Sequence, residues 1–171
     1  MDEATLQSIR KDISGATYYT VNKAFGAALN TNDTRDSDGD RLAWGDEVWS
    51  GGWTYQWIFH PTEISNVFNL LCIAQTYATI LKAGVSKDSD GDHKVYGHDG
   101  IDESRGDDRF RWIVHYLDQS QKVVRIENKY FGAYLKLGGK SQGSSRSHIA
   151  YAHEGRYEND DRFIWNLQPI S

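Results

Sequence analysis

DDRFRWIVHYL (residues 107–117) and DDRFIWNLQPI (160–170) are two copies of one sequence motif, and YQWIFHP (55–61) is a third, more divergent copy. Each copy closes a longer repeat. A polar turn and an aromatic strand precede it, as DSDGDRLAWGDE (36–47), DSDGDHKVYGHDG (88–100) and SRSHIAYAHEG (145–155). Before that turn comes a stretch rich in small and aromatic residues, as VNKAFGAALN (21–30), IAQTYATILK (73–82) and IENKYFGAYLK (126–136). Three copies of roughly fifty residues indicate a fold built by internal repetition.

Equivalent residues keep a nearly constant spacing along the chain. The repeated leucines are 52 and 54 residues apart and the repeated tryptophans 55 and 53: Leu29, Leu81 and Leu135; Trp57, Trp112 and Trp165. Each repeat holds four short runs of β-branched and aromatic residues, which are typical of strands. Twelve such strands predict an all-β protein, a β-trefoil in which a six-stranded barrel is capped by three hairpins. Closing the barrel removes exposed sheet edges.

The predicted trefoil domain covers residues 17–171, with repeats at about 17–62, 63–119 and 120–171. A short N-terminal helical segment, residues 1–16, precedes it, because Leu6, Ile9 and Ile13 follow the spacing of one helix face. We expect this helix to cap one end of the barrel or to fray into solvent; a partner-binding arm is the alternative.

The tryptophans of the three motifs are predicted core residues. Each follows another aromatic residue by two positions, and alternation along a strand sends both side chains to the same face. The pairs are Tyr55 and Trp57, Phe110 and Trp112, and Phe163 and Trp165.

Charge and composition narrow the classes of partner. The chain has 171 residues and a formal net charge of −5, with no polybasic tract. Nucleic acid and anionic membranes are therefore not expected as partners.

No apolar stretch reaches the ~18 residues of a membrane span, and the N-terminus lacks a signal core. We expect the protein to be secreted if a leader peptide has been removed, and cytoplasmic otherwise. The single cysteine, Cys72, lies in an apolar run and is expected to be a buried free thiol.

The repeat layout resembles that of ricin-type β-trefoil lectins, although their Gln-x-Trp hallmark is replaced by Tyr55, Phe110 and Phe163 at the glutamine position. A nearer resemblance is to the C-terminal trefoil of the thirty-kilodalton lipoproteins of moth haemolymph. It is carried by GDRLAWGDE (39–47), GDHKVYGHDG (91–100), YLKLG (134–138) and WIFHP (57–61). That family also has a long helical N-terminal domain associated with lipid handling. Since one short helix is expected here, the resemblance implies carbohydrate recognition rather than lipid carriage.

The lectin resemblance also implies where a sugar would bind. In ricin-type lectins an aromatic side chain after the third strand stacks on the sugar, and a polar side chain at the end of the second strand takes its hydroxyls. The stacking position falls on Trp44, Tyr96 and Tyr151, and the hydroxyl-binding position on Asn30, Lys82 and Lys136. Acceptors beside the aromatics complete the candidate carbohydrate-binding set: Asp46 and Glu47, His98 and Asp99, His153 and Glu154.

A pyranose ring needs a flat apolar platform with polar groups at its edge, and carboxylates strengthen the bonds to its hydroxyls. Repeat 1 is favoured because Asn30 both donates and accepts, whereas a lysine only donates. Packing of the hairpin cap is the alternative role for the three aromatics. Trp49 and Trp53, in a glycine-flanked loop, form a second candidate platform.

The two DSDGD runs, residues 36–40 and 88–92, resemble calcium loops in their alternating carboxylates. Their glycine stands at position 4 rather than position 6, so we interpret them as turns between strands and predict no metal site. No catalytic motif is present, so neither an enzyme nor a cofactor is predicted. Asp108–Arg109 and Asp161–Arg162 are expected to shape the loops that enter the fourth strands.

The sequence therefore predicts a non-catalytic, lectin-like protein whose partners are glycans or glycoproteins. Two alternatives stay open: a storage- or toxin-associated binding module, and a protein-binding trefoil such as a protease inhibitor, acting through the 46–54 or 100–108 loop.

Overall fold

The computed structural model describes residues 2–74, 76–139, 141–142, 146–155 and 159–170, and leaves the side chains of residues 9–12, 33, 102 and 103 undescribed. Twelve strands and two helices are found in this part of the chain. They are α1 (Glu3–Asp12), β1 (Ala16–Asn22), β2 (Ala28–Arg35), β3 (Arg41–Asp46), β4 (Gln56–Pro61), β5 (Val67–Ile73), β6 (Ala78–Lys87), β7 (Asp92–His98), α2 (Ile101–Ser104), β8 (Trp112–Asp118), β9 (Val123–Asn128), β10 (Ala133–Leu137), β11 (Ser147–His153) and β12 (Trp165–Pro169).

Six strands form a closed antiparallel barrel. Strand β1 pairs with β4, β4 with β5, β5 with β8, β8 with β9, β9 with β12, and β12 returns to β1. The barrel therefore has no free edge, which removes the aggregation risk of an open sheet.

The other six strands form three hairpins that cap the barrel. The hairpins are β2–β3, β6–β7 and β10–β11, and their third-strand members β3, β7 and β11 pair with one another in a triangle. This arrangement confirms the β-trefoil.

The three repeated tryptophans confirm the predicted core. Trp57, Trp112 and Trp165 are fully buried, and each donates its indole N–H to the carbonyl of the repeated leucine, at 2.8, 3.0 and 3.0 Å. The acceptors are Leu29, Leu81 and Leu135. A buried indole N–H without an acceptor would cost stability, so each bond ties a barrel strand to the hairpin strand of its own repeat.

The N-terminal helix packs on the outside of the barrel. Asp2 caps it, accepting from the Thr5 N–H at 2.7 Å, and this hydrogen bonding lowers the pKa of the Asp2 carboxyl. One helical turn later Leu6 is fully buried in a second apolar cluster with Leu71 and Ile80. Leu6 anchors the helix as the spacing predicted, and Ile13 packs at the edge of the cluster. The side chain of Ile9 lies outside the described part.

Candidate functional site

Polar side chains at the ends of the third strands join the three repeats. His98 Nδ1 lies 2.6 Å from Asp40 Oδ1, and His153 Nδ1 lies 2.5 Å from Asp92 Oδ1. In the equivalent place in repeat 1, Asp46 accepts a hydrogen bond from the Ser147 hydroxyl. Asp46, His98 and His153, all candidates for sugar binding, thus bind one repeat to another.

The residues next in sequence to these three, Glu47, Asp99 and Glu154, form a second set of contacts between repeats. His148 Nε2 lies 2.7 Å from Glu47, His93 Nε2 lies 2.8 Å from Glu154, and Arg41 Nε donates to Asp99 at 3.1 Å. Each of these basic side chains packs against an aromatic side chain from the corner between the first and second strands of a repeat. The ring centroids of His148 and Phe25 are 4.0 Å apart, as are those of His93 and Phe131, and the Arg41 guanidinium lies 3.7 Å above the Tyr77 ring. Glu47, Asp99 and Glu154 therefore have structural partners as well.

In repeats 2 and 3 a lysine occupies the hydroxyl-binding position and is engaged by an aspartate. Lys82 lies 2.5 Å from Asp40, and Lys136 lies 3.0 Å from Asp92. Each ammonium also lies about 6 Å from a ring of its own repeat, Tyr96 or Tyr151. Burial is the largest cause that raises the pKa of these two tyrosines, and nearby aspartates add to it.

Tyr96 and Tyr151 line one cleft of about 540 Å³ together with both acidic turns and several cations, among them Lys82 and Arg109. Arg109 is held by Asp107, whose carboxylate accepts from Nη2 at 2.7 Å, and Asp160 holds Arg162 in the same way at 2.6 Å. The arginine lowers the pKa of each carboxyl. Asp107 and Asp160 also cap the 3₁₀ turns Asp108–Phe110 and Asp161–Phe163, so Asp108–Arg109 and Asp161–Arg162 lie in the loops that enter the fourth strands.

Repeat 1 departs from this pattern at four positions. Asn30 replaces the lysine, Asn32 replaces the glycine of the other repeats, and Trp53–Thr54 replaces Asp–Arg. At these positions repeat 1 has a groove of about 530 Å³ that is lined by uncharged side chains where repeat 2 has Lys82 and Arg109. We call it the repeat-1 groove; it is lined by Asn30, Asn32, Asp46, Trp53, Tyr55 and Tyr77 among others.

The Trp53 indole is the exposed aromatic surface of the repeat-1 groove, with 42% of the residue accessible. Its loop is held in place by the Tyr19 hydroxyl and the Gln56 amide, which donate to the Gly51 carbonyl at 3.2 and 3.1 Å. The Cys72 thiol, 3.4 Å from the Trp53 carbonyl oxygen, adds a third contact. The platform is therefore positioned before any ligand arrives.

Asp46 is the carboxylate of the repeat-1 groove. It accepts from the Tyr55 hydroxyl at 2.8 Å and from the Asn30 amide at 3.0 Å. Burial is the main cause that raises the pKa of Tyr55, and the hydrogen bond to Asp46 adds to it, so the phenol stays protonated as a donor. The arrangement offers amide, hydroxyl and carboxylate groups beside an indole.

The other two candidate tryptophans lie outside the lining of this groove. Trp44 is half-buried and pairs with Asn30 across the hairpin and with Ile149 of the third repeat. Trp49 donates its indole N–H to the Gly26 carbonyl at 3.1 Å and packs 5.2 Å from the Tyr19 ring. The structure thus brings Asn30, Asp46 and Trp53 together in the repeat-1 groove.

Sequence reasoning missed Asn32 and Tyr77 as lining residues. Asn32 stands two residues beyond Asn30 on the same strand face, which period-2 alternation could have revealed. Tyr77 comes from the first corner of repeat 2, and its hydroxyl donates to the Thr31 carbonyl at 2.9 Å. That approach between repeats leaves no local signal in the sequence.

Known proteins resemble this chain in sequence. Residues 7–169 match the sequence profile of the lepidopteran low molecular weight (30 kD) lipoproteins. The chain belongs to this family. Microvitellogenin of Manduca sexta is 29% identical over 150 residues, which cover 86% of this chain and 58% of that protein. This lipoprotein chain therefore spans less than two thirds of that curated relative.

Solved structures show the same fold at low sequence identity. A Caenorhabditis elegans protein of unknown function superposes with a TM-score of 0.71 at 14% identity, covering 91% of this lipoprotein and 94% of that chain. The designed threefold-symmetric protein ThreeFoil gives a TM-score of 0.65 at 19% identity, with 90% and 99% coverage. A Polyporus squamosus lectin gives 0.63 at 15% identity, with 92% and 50% coverage.

The two acidic turns each bring three carboxylates together. In both turns, Asp36–Asp40 and Asp88–Asp92, one oxygen from each of three aspartates lies within 4.8 Å of the others. The first aspartate is already used by its own turn: Asp36 Oδ1 accepts from the N–H of Asp38 and of Asp40 at 2.9 and 3.0 Å. Gly39 has a φ of 82°, which favours glycine at this corner. Asx-turn bonding accounts for the local structure.

Within the described residues, no helix is long and apolar enough to cross a membrane.

Proposed function

We propose that this protein binds carbohydrate, as free glycans or glycoproteins, in the repeat-1 groove and without catalysis. The observation that carries the proposal is the exposed indole of Trp53 beside the polar side chains of Asn30, Asn32 and Asp46. An indole gains dispersion and buried area over the C–H face of a sugar, while carboxylate and amide groups at its edge take the hydroxyls.

The departure from internal symmetry supports this choice of repeat. Repeats 2 and 3 fill the equivalent positions with Lys–Asp and Arg–Asp pairs, which satisfy one another. Repeat 1 has Asn30 at the lysine position, and Gly52, Trp53 and Thr54 stand where the other repeats have Asp-Asp-Arg. The trefoil fold does not require that replacement, since the other two repeats keep the fold without it.

Binding without catalysis fits the number of carboxylates. Asp46 is the only carboxylate among the described residues that line the groove. Glycoside hydrolysis by the common mechanism needs two, on either side of the scissile bond.

Proteins of similar fold add circumstantial support. The Polyporus squamosus lectin was solved bound to the epitope Neu5Aca2-6Galb1-4GlcNAc. The fold also superposes on a trefoil-sized part of a Clostridium thermocellum exo-beta-1,3-galactanase, 31% of that enzyme's chain, with a TM-score of 0.68.

A glycan array followed by calorimetry tests the proposal. The methyl glycosides of glucose, galactose, mannose and N-acetylglucosamine are titrated into the protein and into Trp53→Ala. At least one is expected to bind, and Trp53→Ala is expected to weaken it by tenfold or more. Tyr130→Ala, which removes an aromatic side chain that is 61% exposed outside this groove, serves as the matched control and should bind normally. Full affinity in Trp53→Ala would contradict the proposal.

Trp44→Ala distinguishes the two candidate platforms of repeat 1. The sequence analysis favoured Trp44, whereas the repeat-1 groove is lined by Trp53. Loss of binding in Trp44→Ala alone, with an unchanged circular dichroism spectrum, would move the site to the hairpin face beside Asn30.

A further inference from the structure

Trp53 also lines a second, smaller depression, which we call the apolar cleft. The cleft measures about 280 Å³ and includes Ile13, Ile58 and Ile73 in its lining. Trp53 is therefore a wall shared by the repeat-1 groove and the apolar cleft, so the two depressions lie one side chain apart.

The chemistry of the two depressions differs sharply. The repeat-1 groove carries amides, hydroxyls and the Asp46 carboxylate. The apolar cleft carries three isoleucines, and among the described residues its polar side chains are the uncharged Thr17 and Gln56. A polar surface and an apolar surface separated by one exposed indole match a ligand that has a polar end and a hydrocarbon end.

The apolar cleft is built by two elements that approach one another. Ile13, just beyond the end of α1, forms one side, and Ile58 of β4 forms another. Both side chains are only partly buried against the cluster that anchors Leu6. Ile13 and Ile58 thus keep accessible apolar surface, and a ligand chain placed there would remove that surface from water.

We propose that the protein binds a glycoside that bears a hydrocarbon chain, with the sugar in the repeat-1 groove and the chain in the apolar cleft across Trp53. This inference rests on the proposed sugar binding and names its ligand class. The indole then contacts the ligand at the junction of sugar and chain.

Chain length gives the sharpest test. Methyl and hexyl glycosides of glucose, galactose, mannose and N-acetylglucosamine are titrated below the concentrations at which they form micelles, with 1-hexanol as the chain-only probe. A fully buried methylene contributes roughly a fourfold gain in affinity, so five additional methylenes in a half-open cleft should give at least tenfold. The hexyl glycoside is therefore expected to bind at least tenfold more tightly than its methyl counterpart and more tightly than 1-hexanol.

A matched pair of variants locates the chain. Ile58→Thr makes the apolar cleft more polar and keeps a β-branched residue in the strand, and it should remove most of the hexyl gain while methyl glycoside affinity stays the same. Val85→Thr makes the same kind of change at a side chain that is 66% exposed and does not line the cleft, and it should keep the gain.

The outcomes separate the two proposals. Equal affinity for methyl and hexyl glycosides would overturn this inference and leave sugar binding intact. A hexyl gain that persists in Ile58→Thr, or 1-hexanol that binds as tightly as the hexyl glycoside, would also overturn it. Failure of both glycoside series to bind would overturn the proposed function with it.

Discussion

His148 and Glu47 are 101 residues apart in the sequence, and their side chains meet at 2.7 Å between Nε2 and Oε2. The other ring nitrogen, Nδ1, lies 2.8 Å from the Gly138 carbonyl oxygen. Both nitrogens therefore face an acceptor oxygen. Arg41 occupies the equivalent place in repeat 1, over Tyr77 and beside Asp99, with a permanent charge.

His148→Arg is therefore expected to be tolerated better than His148→Leu. The arginine keeps an N–H donor between Phe25 and Glu47, whereas leucine removes this donor and leaves the glutamate only the more exposed Arg146. We expect His148→Leu to cost roughly 2–3 kcal/mol, the usual value for hydrogen bonds to charged groups, and His148→Arg less than half of that. Urea unfolding followed by circular dichroism at pH 6 gives both values. Equal losses in the two variants would show that shape, and not charge, decides this position.

The buried tryptophans should contribute nearly equally to stability. Trp112→Ala removes a fully buried indole together with its hydrogen bond to Leu81, and the expected cost is about 3–5 kcal/mol. Because Trp57 and Trp165 have the same burial and the same bond, their alanine variants should fall in the same range. Unfolding free energies of the three variants measure this. A value below about 1 kcal/mol for any of them would contradict the equivalence of the repeats.

Calcium should leave the melting temperature nearly unchanged. Asp36 and Asp88 already accept two backbone N–H bonds each, as expected of turns. A ligand raises the melting temperature only if the folded protein binds it, so scans with added calcium and with a chelator should coincide. A calcium-dependent rise of several degrees, lost in Asp38→Asn, would show that the first turn is a metal site.

The Asp107–Arg109 pair makes the stability of the folded protein depend on pH. The arginine lowers the pKa of Asp107 below its ordinary value of 3.8, so the folded chain binds this proton less readily than the unfolded chain. The stability gained is therefore fully present above about pH 3.8 and is lost as pH falls through the folded pKa. Asp107→Asn keeps the cap on the 3₁₀ turn but removes the charge.

We expect Asp107→Asn to be less stable than the natural sequence at pH 6, by well under ~1 kcal/mol because the pair is partly exposed, and the difference to shrink as pH is lowered toward 2.5. Urea midpoints at the two pH values measure the difference. Asp90→Asn, on an exposed part of the second acidic turn, should show no difference at either pH. A deficit in Asp107→Asn that grew on acidification would reverse the sign argued here.

The sequence predicted the fold because the fold depends on local periodicity that is written three times. The positions of Trp57, Trp112 and Trp165 are enough to place three equivalent barrel strands. Their burial and their bonds to the repeated leucines confirm this.

The site was harder to predict because it depends on contacts between repeats. His98 meets Asp40 across 58 residues and His153 meets Asp92 across 61, and neither pairing leaves a local signal. The lectin resemblance therefore assigned to ligand binding several side chains that also join repeats. Asn30, Asp46 and Trp53 do converge on one groove, but the convergence needs Asp46 to turn toward Tyr55 and Asn30, which spacing alone does not reveal. Sugar binding by these residues stays a prediction.

The pairing of β1 with β12 has a consequence for the order of synthesis. Tyr18 lies opposite Pro169 and Asn22 opposite Trp165, so the first strand of repeat 1 is completed by the fourth strand of repeat 3. On the ribosome, β1 can find β2 and β4 but must wait for β12 until the third repeat has emerged. The nascent chain therefore exposes an open β1 edge throughout translation of repeats 2 and 3, the interval in which unpaired strands are prone to misassembly and chaperones act.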